Sequence, residues 1–106
     1  MKTWAILAGT VLLASELVGQ RYKPALGYVP DSETAVKIAE AVLIPVYGEK
    51  KIELEQPFTA TLKNRVWIVE GTLHCPDGTS TSCDGGVAEV HISKSDARIL
   101  YMSHGQ

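Results

Sequence analysis

The sequence predicts an α+β fold in which one main N-terminal helix packs on a four-stranded antiparallel meander. Two changes of pattern give this prediction. Apolar residues recur every three or four positions between residues 35 and 46, and from residue 52 onward they alternate with polar residues. A chain of 106 residues, 45% of them hydrophobic, has room for one domain in which helix and sheet share a core.

The N-terminus has the pattern of a secretory signal. Lys2 is followed by eleven residues without a charge, from Trp4 to Ala14. That run is too short to span a bilayer, which takes about 20 apolar residues. We therefore expect residues 1–19 to be a signal peptide and residues 20–106 to be the mature domain, with no membrane contact. A buried N-terminal helix is the alternative interpretation.

The helix is expected to begin at Asp31 or Ser32, either of which can cap it, with Glu33 in the positive first turn. Its apolar stripe consists of Ala35, Ile38, Ala39, Val42, Leu43 and Val46. Pro45 cannot donate a backbone hydrogen bond, so the helix should stop or kink there. Gly48 is the expected C-terminal cap.

Four strands are expected after the helix, because apolar and polar residues alternate in each of them. Turns are expected at Lys63–Asn64 and Ser95–Asp96. The predicted strands are Phe58–Lys63, Val66–Cys75, Val87–Lys94 and Ala97–His104, with an earlier start at Ile52–Glu55 interrupted by Gln56–Pro57. The residues assigned to structure are Phe58, Trp67, Val69, Val90 and Ile99.

A two-residue turn at Ser95–Asp96 sets a predicted register for the last two strands. It places Ile92 opposite Ile99, Val90 opposite Tyr101, and Val87 opposite His104. Pairing Val69 with Ile92 in turn places Glu70 beside His91 and His74 beside Val87. The face away from the helix then collects His74, His91, His104, Glu70, Glu89, Leu100 and Met102.

This second face is too apolar for a plain solvated surface and too polar for a second core. A mixed face of this kind often meets another protein. Three histidines and two carboxylates could instead bind a metal or carry acid-base chemistry. Simple strand alternation, with polar residues turned to water, is the third interpretation.

The chain's two cysteines, Cys75 and Cys83, lie eight positions apart. In an oxidising compartment they would most simply pair with each other. A metal site formed by His74 and both cysteines is the alternative, although the short paired spacing of structural zinc sites is missing.

Charge and motifs exclude several functions. Ten Lys and Arg are offset by twelve Asp and Glu, and no basic run exceeds Lys50–Lys51, so a nucleic-acid partner is not expected. There is no phosphate-binding glycine loop, nucleophile elbow or paired-histidine helix motif. We therefore expect no catalytic residues, no metal and no cofactor.

An ordered series of motifs resembles the bacterial immunity family that has a nuclear transport factor 2-like, or cystatin-like, fold. The resemblance covers about residues 28–105. It is carried by the segments Val29–Val42, Pro45–Lys50, Pro57–Phe58, Val66–Leu73, Gly85–Ala88, Ile92–Lys94 and His104–Gly105. The insert between Cys75 and Cys83, and Ala97 where glycine is commoner, depart from the family pattern.

The resemblance implies a protein that neutralises a toxin encoded beside it, without turnover. For an exported chain it implies an effector delivered into the periplasm, for example by type VI secretion. The expected contacts are loop residues Asp77, Thr79, Ser80 and Asp84, and the sheet residues Glu70, Glu89, His91 and Tyr101. The chain could act as a monomer or a homodimer.

Two other functions remain open at this point. One is a small-molecule-binding or enzymatic member of the same broad fold, with a pocket around Glu70 and His91. The other is a periplasmic inhibitor of general specificity, which would bind several unrelated hydrolases.

Overall fold

The computed structural model describes residues 22–105. The expected signal peptide over residues 1–19 lies outside the described residues. Within the described range no helix is both long enough and apolar enough to cross a membrane.

Helix α1, Ser32–Tyr47, begins where the sequence predicts. Asp31 is its N-cap, and the Asp31 Oδ1 atom accepts hydrogen bonds from the Thr34 backbone N–H at 2.8 Å and the Thr34 hydroxyl at 2.7 Å. Gly48, with φ at 98°, caps the other end by donating its N–H to the Ile44 carbonyl at 2.8 Å. These local signals set both ends of the helix.

The structure corrects two expectations for this part of the chain. The helix does not stop at Pro45 but continues to Tyr47, because so close to its end the proline removes only the hydrogen bond to the carbonyl of the exposed Ala41. Ile52 and Glu55 do not begin a strand. Ile52 lies in a second short helix, α2, Glu49–Glu53, and both side chains are buried at the three-residue spacing of a helical turn.

The four strands form one antiparallel sheet in the order β1-β2-β3-β4, which confirms the predicted meander. Their bounds are β1 Thr59–Lys63, β2 Val66–Glu70, β3 Ala88–Ser93 and β4 Ile99–His104. The first turn lies at Asn64–Arg65, one residue later than expected, and both residues have positive φ as a tight hairpin of this type requires.

Strand β2 is shorter than predicted because the chain changes partner at Gly71. The Gly71 N–H donates to the Ala88 carbonyl at 3.0 Å, but the next N–H, of Thr72, donates to the Glu55 carbonyl at 2.7 Å. A side chain at position 71 would lie 2.7 Å from Glu55 Oε1, so only glycine allows this approach.

The core lies between α1 and the inner face of the sheet, where α1 packs chiefly on β1, β2 and β3. Trp67 anchors it and donates its indole N–H to the Val29 carbonyl at 2.8 Å. Two expected core residues, Val46 and Ile99, are instead 59% and 39% exposed, since one is at the helix end and the other is on the edge strand β4. The buried core residues are Val29, Ala35, Ala39, Leu43, Ile52, Phe58, Trp67, Val69, Ala88, Val90 and Ile92.

Candidate functional site

The face of the sheet turned away from α1 carries four of the predicted contact residues together. In β2 and β3, Val69 and Val90 point into the core, so their neighbours along each strand point outward. Glu70 is paired directly with Glu89 across β2 and β3, and His91 is paired with Tyr101 across β3 and β4. We call Glu70, Glu89, His91 and Tyr101 the outer cluster.

Three members of the outer cluster, Glu89, His91 and Tyr101, contact one another, and Glu70 is placed beside them by its strand pairing with Glu89. His91 Nε2 lies 2.5 Å from Glu89 Oε2, and the His91 ring lies 4.7 Å from the Tyr101 ring at a tilt of 38°. Within residues 22–105, no cation lies within ion-pair distance of Glu70. The cluster thus presents two adjacent carboxylates beside a pair of aromatic rings, and Tyr101 is 49% exposed.

The predicted pairing of β2 with β3 is wrong by two residues. Val69 pairs with Val90 rather than Ile92, and Glu70 therefore faces Glu89 rather than His91. A shift of two residues leaves every side chain on the same face of the sheet, so the alternation pattern cannot distinguish the two registers.

The predicted pairing of β3 with β4 is wrong beyond Ile92, because β4 contains a β-bulge. Ile92 pairs with Ile99 as predicted, but the extra residue in β4 moves Val90 opposite Met102, and Ala88, not Val87, opposite His104. Met102 therefore packs on the core instead of the outer face. Tyr101 moves to the outer face beside His91.

Of the three histidines expected on the outer face, only His91 is there. His74 lies beyond the end of β2, where its Nε2 atom is 2.6 Å from the Gln56 carbonyl. His104 lies on the helix side of the sheet, with its ring 5.3 Å from the ring of Tyr47.

His104 and Glu55 form a buried pair that sequence reasoning missed. Glu55 is 8% exposed; its Oε1 accepts the Ala88 N–H at 2.6 Å, and its Oε2 lies 2.7 Å from His104 Nε2. His104 Nδ1 donates to the Gly105 carbonyl at 2.6 Å, since a carbonyl oxygen can only accept. Both ring nitrogens are thereby occupied by protein oxygens, so this pair ties the segment that follows α2 to the sheet and leaves no free nitrogen for a substrate.

The sequence feature that could have predicted a buried Glu55 is its three-residue spacing from Ile52, which is typical of a helix. Assigning these residues to a strand led us to overlook that spacing.

The insert is closed by the predicted disulfide between Cys75 and Cys83. Inside it, Asp77 Oδ1 accepts from the Thr79 N–H at 3.0 Å and the Thr79 hydroxyl at 2.8 Å. The nearby Ser82 hydroxyl and these Thr79 groups hold the pKa of Asp77 below its usual value. All four loop residues are exposed, and the side chains of Asp77 and Thr79 also stabilise the loop itself.

A shallow groove of about 360 Å³ joins the loop to the outer cluster. Its lining includes both Glu70 of the outer cluster and Ser80 of the loop. The two predicted contact regions are thus continuous. The groove is lined by Glu70, Gly71, Thr72, Leu73, Ser80, Gly85, Gly86 and Val87.

The side chains do not assemble a metal site in the described range. Residues 22–105 contain no group of three or more His, Cys, Asp or Glu side chains placed to hold a metal ion. Both sulfur atoms of the alternative site at His74 are in the disulfide, so they are not free to ligate.

Comparison with known proteins identifies the family. The family described as NTF2 fold immunity protein matches residues 34–106, which include most of α1 and all four strands. The chain is also 30% identical to the uncharacterized protein YhhH of Escherichia coli (strain K12) over 104 residues, 98% of this chain and 78% of that protein. No solved structure matches the chain. With helix, meander and family match in agreement, the chain belongs to the NTF2-fold immunity protein family.

Proposed function

We propose that this protein binds a cognate antibacterial toxin acting in the periplasm and covers its active site without turnover. The family supports the immunity role. The contacts are made by the outer cluster and by the exposed residues Ser80 and Asp84 of the adjoining loop. Asp77 and Thr79 contribute by holding the loop in shape.

The observation that carries this proposal is the placement of Glu70 directly opposite Glu89 on an exposed face. Like charges in directly opposed positions destabilise a sheet. A basic side chain from a partner would relieve that repulsion, and the neighbouring His91 and Tyr101 rings offer aromatic contact area. The face is therefore better suited to a bound partner than to water.

Two features support action in the periplasm. A disulfide such as Cys75–Cys83 persists in oxidising compartments and is rare in the cytosol. The uncharged run from Trp4 to Ala14 after Lys2 fits an export signal.

The groove beside Glu70 supports binding without turnover. It is shallow and open, and His91 is not among its lining residues, so Glu70 and His91 do not share an enclosed pocket of the kind a small-molecule enzyme uses.

The test is co-expression with the gene next to this one. Its product, directed to the periplasm, should kill cells lacking this protein and spare cells that export it. Survival should fail when Glu70 and Glu89 are both replaced by Lys, and persist when the exposed helix residues Glu49 and Glu53 are replaced in the same way. A harmless neighbour, or killing despite co-expression, contradicts the proposal.

A binding assay separates dedicated immunity from general inhibition. The purified protein should bind the neighbouring toxin far more tightly than unrelated periplasmic hydrolases. Comparable binding to several of them would favour an inhibitor of broad specificity.

A further inference from the structure

The end of the molecule that carries the hairpin turns contains a cleft that the proposed function does not use. The lead-in segment before α1 forms one wall of it. Its N–H groups at Tyr28 and Val29 donate to the carbonyls of Ser95 and Lys94, at 3.0 and 3.1 Å. The cleft has a volume of about 350 Å³, enough for two or three side chains of a ligand.

Three cationic side chains line this cleft together with apolar ones. The cations are Lys23, Arg65 and Lys94, and the apolar residues include Leu26 and Leu62, which are 69% and 44% exposed. Within residues 22–105, no carboxylate lies within 4.0 Å of these cations.

Neighbouring protein groups compensate only part of the positive charge of this cleft. Lys94 Nζ donates to the Leu26 carbonyl, which carries no net charge. Asp96, in the adjoining turn, is engaged by Arg98 at 3.4 Å and exerts only a weaker attraction on Lys23. A cluster of like charges in a concave site attracts an anion.

The backbone at Arg65 adds a second observation. Arg65 has a φ of 64° at the second position of the β1–β2 hairpin, where glycine is favoured because it has no Cβ. Arg65 lines the cleft, and its backbone conformation would be less strained with glycine at this position.

Gly27 allows the lead-in segment to lie close to the β3–β4 turn. A side chain at this position would place its Cβ 2.4 Å from the Lys94 carbonyl oxygen, so only glycine lets the lead-in lie against the turn. The cleft is therefore shaped by the backbone as well as by its charges.

We propose that this cleft binds a carboxylate beside an apolar side chain, as an acidic peptide segment of a protein partner presents them. The three cations would hold the carboxylate, and Leu26 and Leu62 would contact its apolar neighbour. A concave site of this volume fits side chains of a peptide, whereas a lipid surface is flat and broad. This site lies at the opposite end of β2 from Glu70 and does not depend on the toxin proposal.

The first test is calorimetric titration with two capped peptides, acetyl-Leu-Glu-Leu-amide and acetyl-Leu-Gln-Leu-amide. The glutamate peptide should bind at least about ten-fold more tightly, because only its carboxylate pairs with the cations. Equal affinities, or no binding of the glutamate peptide, would overturn the proposal. Sodium sulfate binding as tightly as the glutamate peptide would do so too, because the apolar residues would then contribute nothing.

The second test is the variant Arg65→Gly. Glycine suits the backbone at this position, so the variant should unfold at a higher urea concentration than the wild type and yet bind the glutamate peptide at least about five-fold more weakly. The control is the variant Lys51→Gln. It removes one exposed cation from α2 and should bind the glutamate peptide as the wild type does. Wild-type affinity in Arg65→Gly would contradict the proposal.

A third measurement distinguishes a lipid source of the anion. Vesicles of phosphatidylglycerol should not sediment the protein at physiological salt. If they do, and if Arg65→Gly abolishes the sedimentation, the cleft faces an anionic membrane and the peptide proposal is wrong.

Discussion

At the residue scale, the two most informative carboxylates are in opposite situations. Glu55 is buried with both oxygens hydrogen-bonded, to Ala88 and His104, whereas Glu70 is exposed beside a like charge. A satisfied buried carboxylate stabilises the fold that contains it. An exposed carboxylate that faces another carboxylate does not stabilise the fold. We therefore assign Glu55 to the structure and Glu70 to the proposed contact surface.

Replacing Glu55 by alanine should lower the free energy of unfolding by about 3 kcal/mol, because it leaves the Ala88 N–H and the His104 ring without their partner. Urea denaturation followed by circular dichroism measures this. Glu53→Ala, an exposed change two positions away, is the control and should have little effect. Similar stabilities for both variants would mean that the buried pair contributes nothing.

Replacing Glu70 by glutamine should raise the free energy of unfolding slightly, by about 0.5 kcal/mol or less, because the repulsion with Glu89 is removed. The same change should weaken binding to the toxin. Urea denaturation and titration with the toxin measure the two effects. A loss of stability in this variant would assign Glu70 to the fold instead of the contact surface.

At the element scale, the helix and the disulfide-closed loop depend on local interactions. The Thr34 side chain and backbone hydrogen bonds, aided by Lys37, hold the pKa of Asp31 below its usual value. The Asp77 carboxylate has the same role inside the loop, with Ser82 and Thr79 as its partners. Each element is thus stabilised by an ionised aspartate.

The N-cap gives a pH dependence with a definite sign. A carboxyl whose pKa is lowered in the folded state stabilises the protein above the unfolded pKa of about 3.9, and that stability is lost as pH falls through the folded value. The variant Asp31→Asn keeps a good cap but cannot titrate. Wild type and variant should therefore be similar at pH 7, and below pH 4 the wild type should lose stability relative to the variant in urea denaturation. Parallel pH curves would contradict this.

Replacing Cys75 and Cys83 together by serine should lower the free energy of unfolding by about 2 to 3 kcal/mol, because the short loop is no longer closed in the unfolded chain. Thermal denaturation measures the loss. Intact mass before and after reduction is the accompanying check, and a mass that does not rise by two hydrogens would show that the bond is not formed in the purified protein.

At the scale of the whole molecule, charge is distributed along the strands although the net charge is only -2. Glu70, Glu89 and Asp84 lie toward the loop end of the sheet, and Arg65 and Lys94 lie toward the hairpin end. The sheet thus carries an acidic group of side chains toward the loop and a basic group toward the hairpin turns, each suited to a different kind of partner.

The acidic pole should steer a basic toxin toward the loop. Asp84→Lys should slow association several-fold at low salt, and the effect should shrink as salt is raised, because long-range attraction is screened. Stopped-flow mixing with the toxin measures the rates. Asp84 suits this test better than Asp77, whose carboxylate holds the loop together. Glu49→Lys, the same charge change on α2, is the control, and equal rates for both variants would remove Asp84 from the contact surface.

The sequence by itself determined the features that depend on near neighbours in the chain. The cap at Asp31, the glycine at the helix end and the period-two alternation of the strands are all local, so they predicted the helix and the meander. The short separation of Cys75 and Cys83 predicted the disulfide for the same reason. The family resemblance, carried by ordered motifs, is confirmed by the family match.

Only the tertiary structure decided which side chains meet. A register shift of two residues preserves alternation, so the pairing of Glu70 with Glu89 has no local signature. The bulge in β4 inserts one residue and reverses the faces of all that follow, which brings Tyr101 to His91 and takes His104 to Glu55. These contacts depend on packing between distant segments, and no periodicity within one segment can specify them.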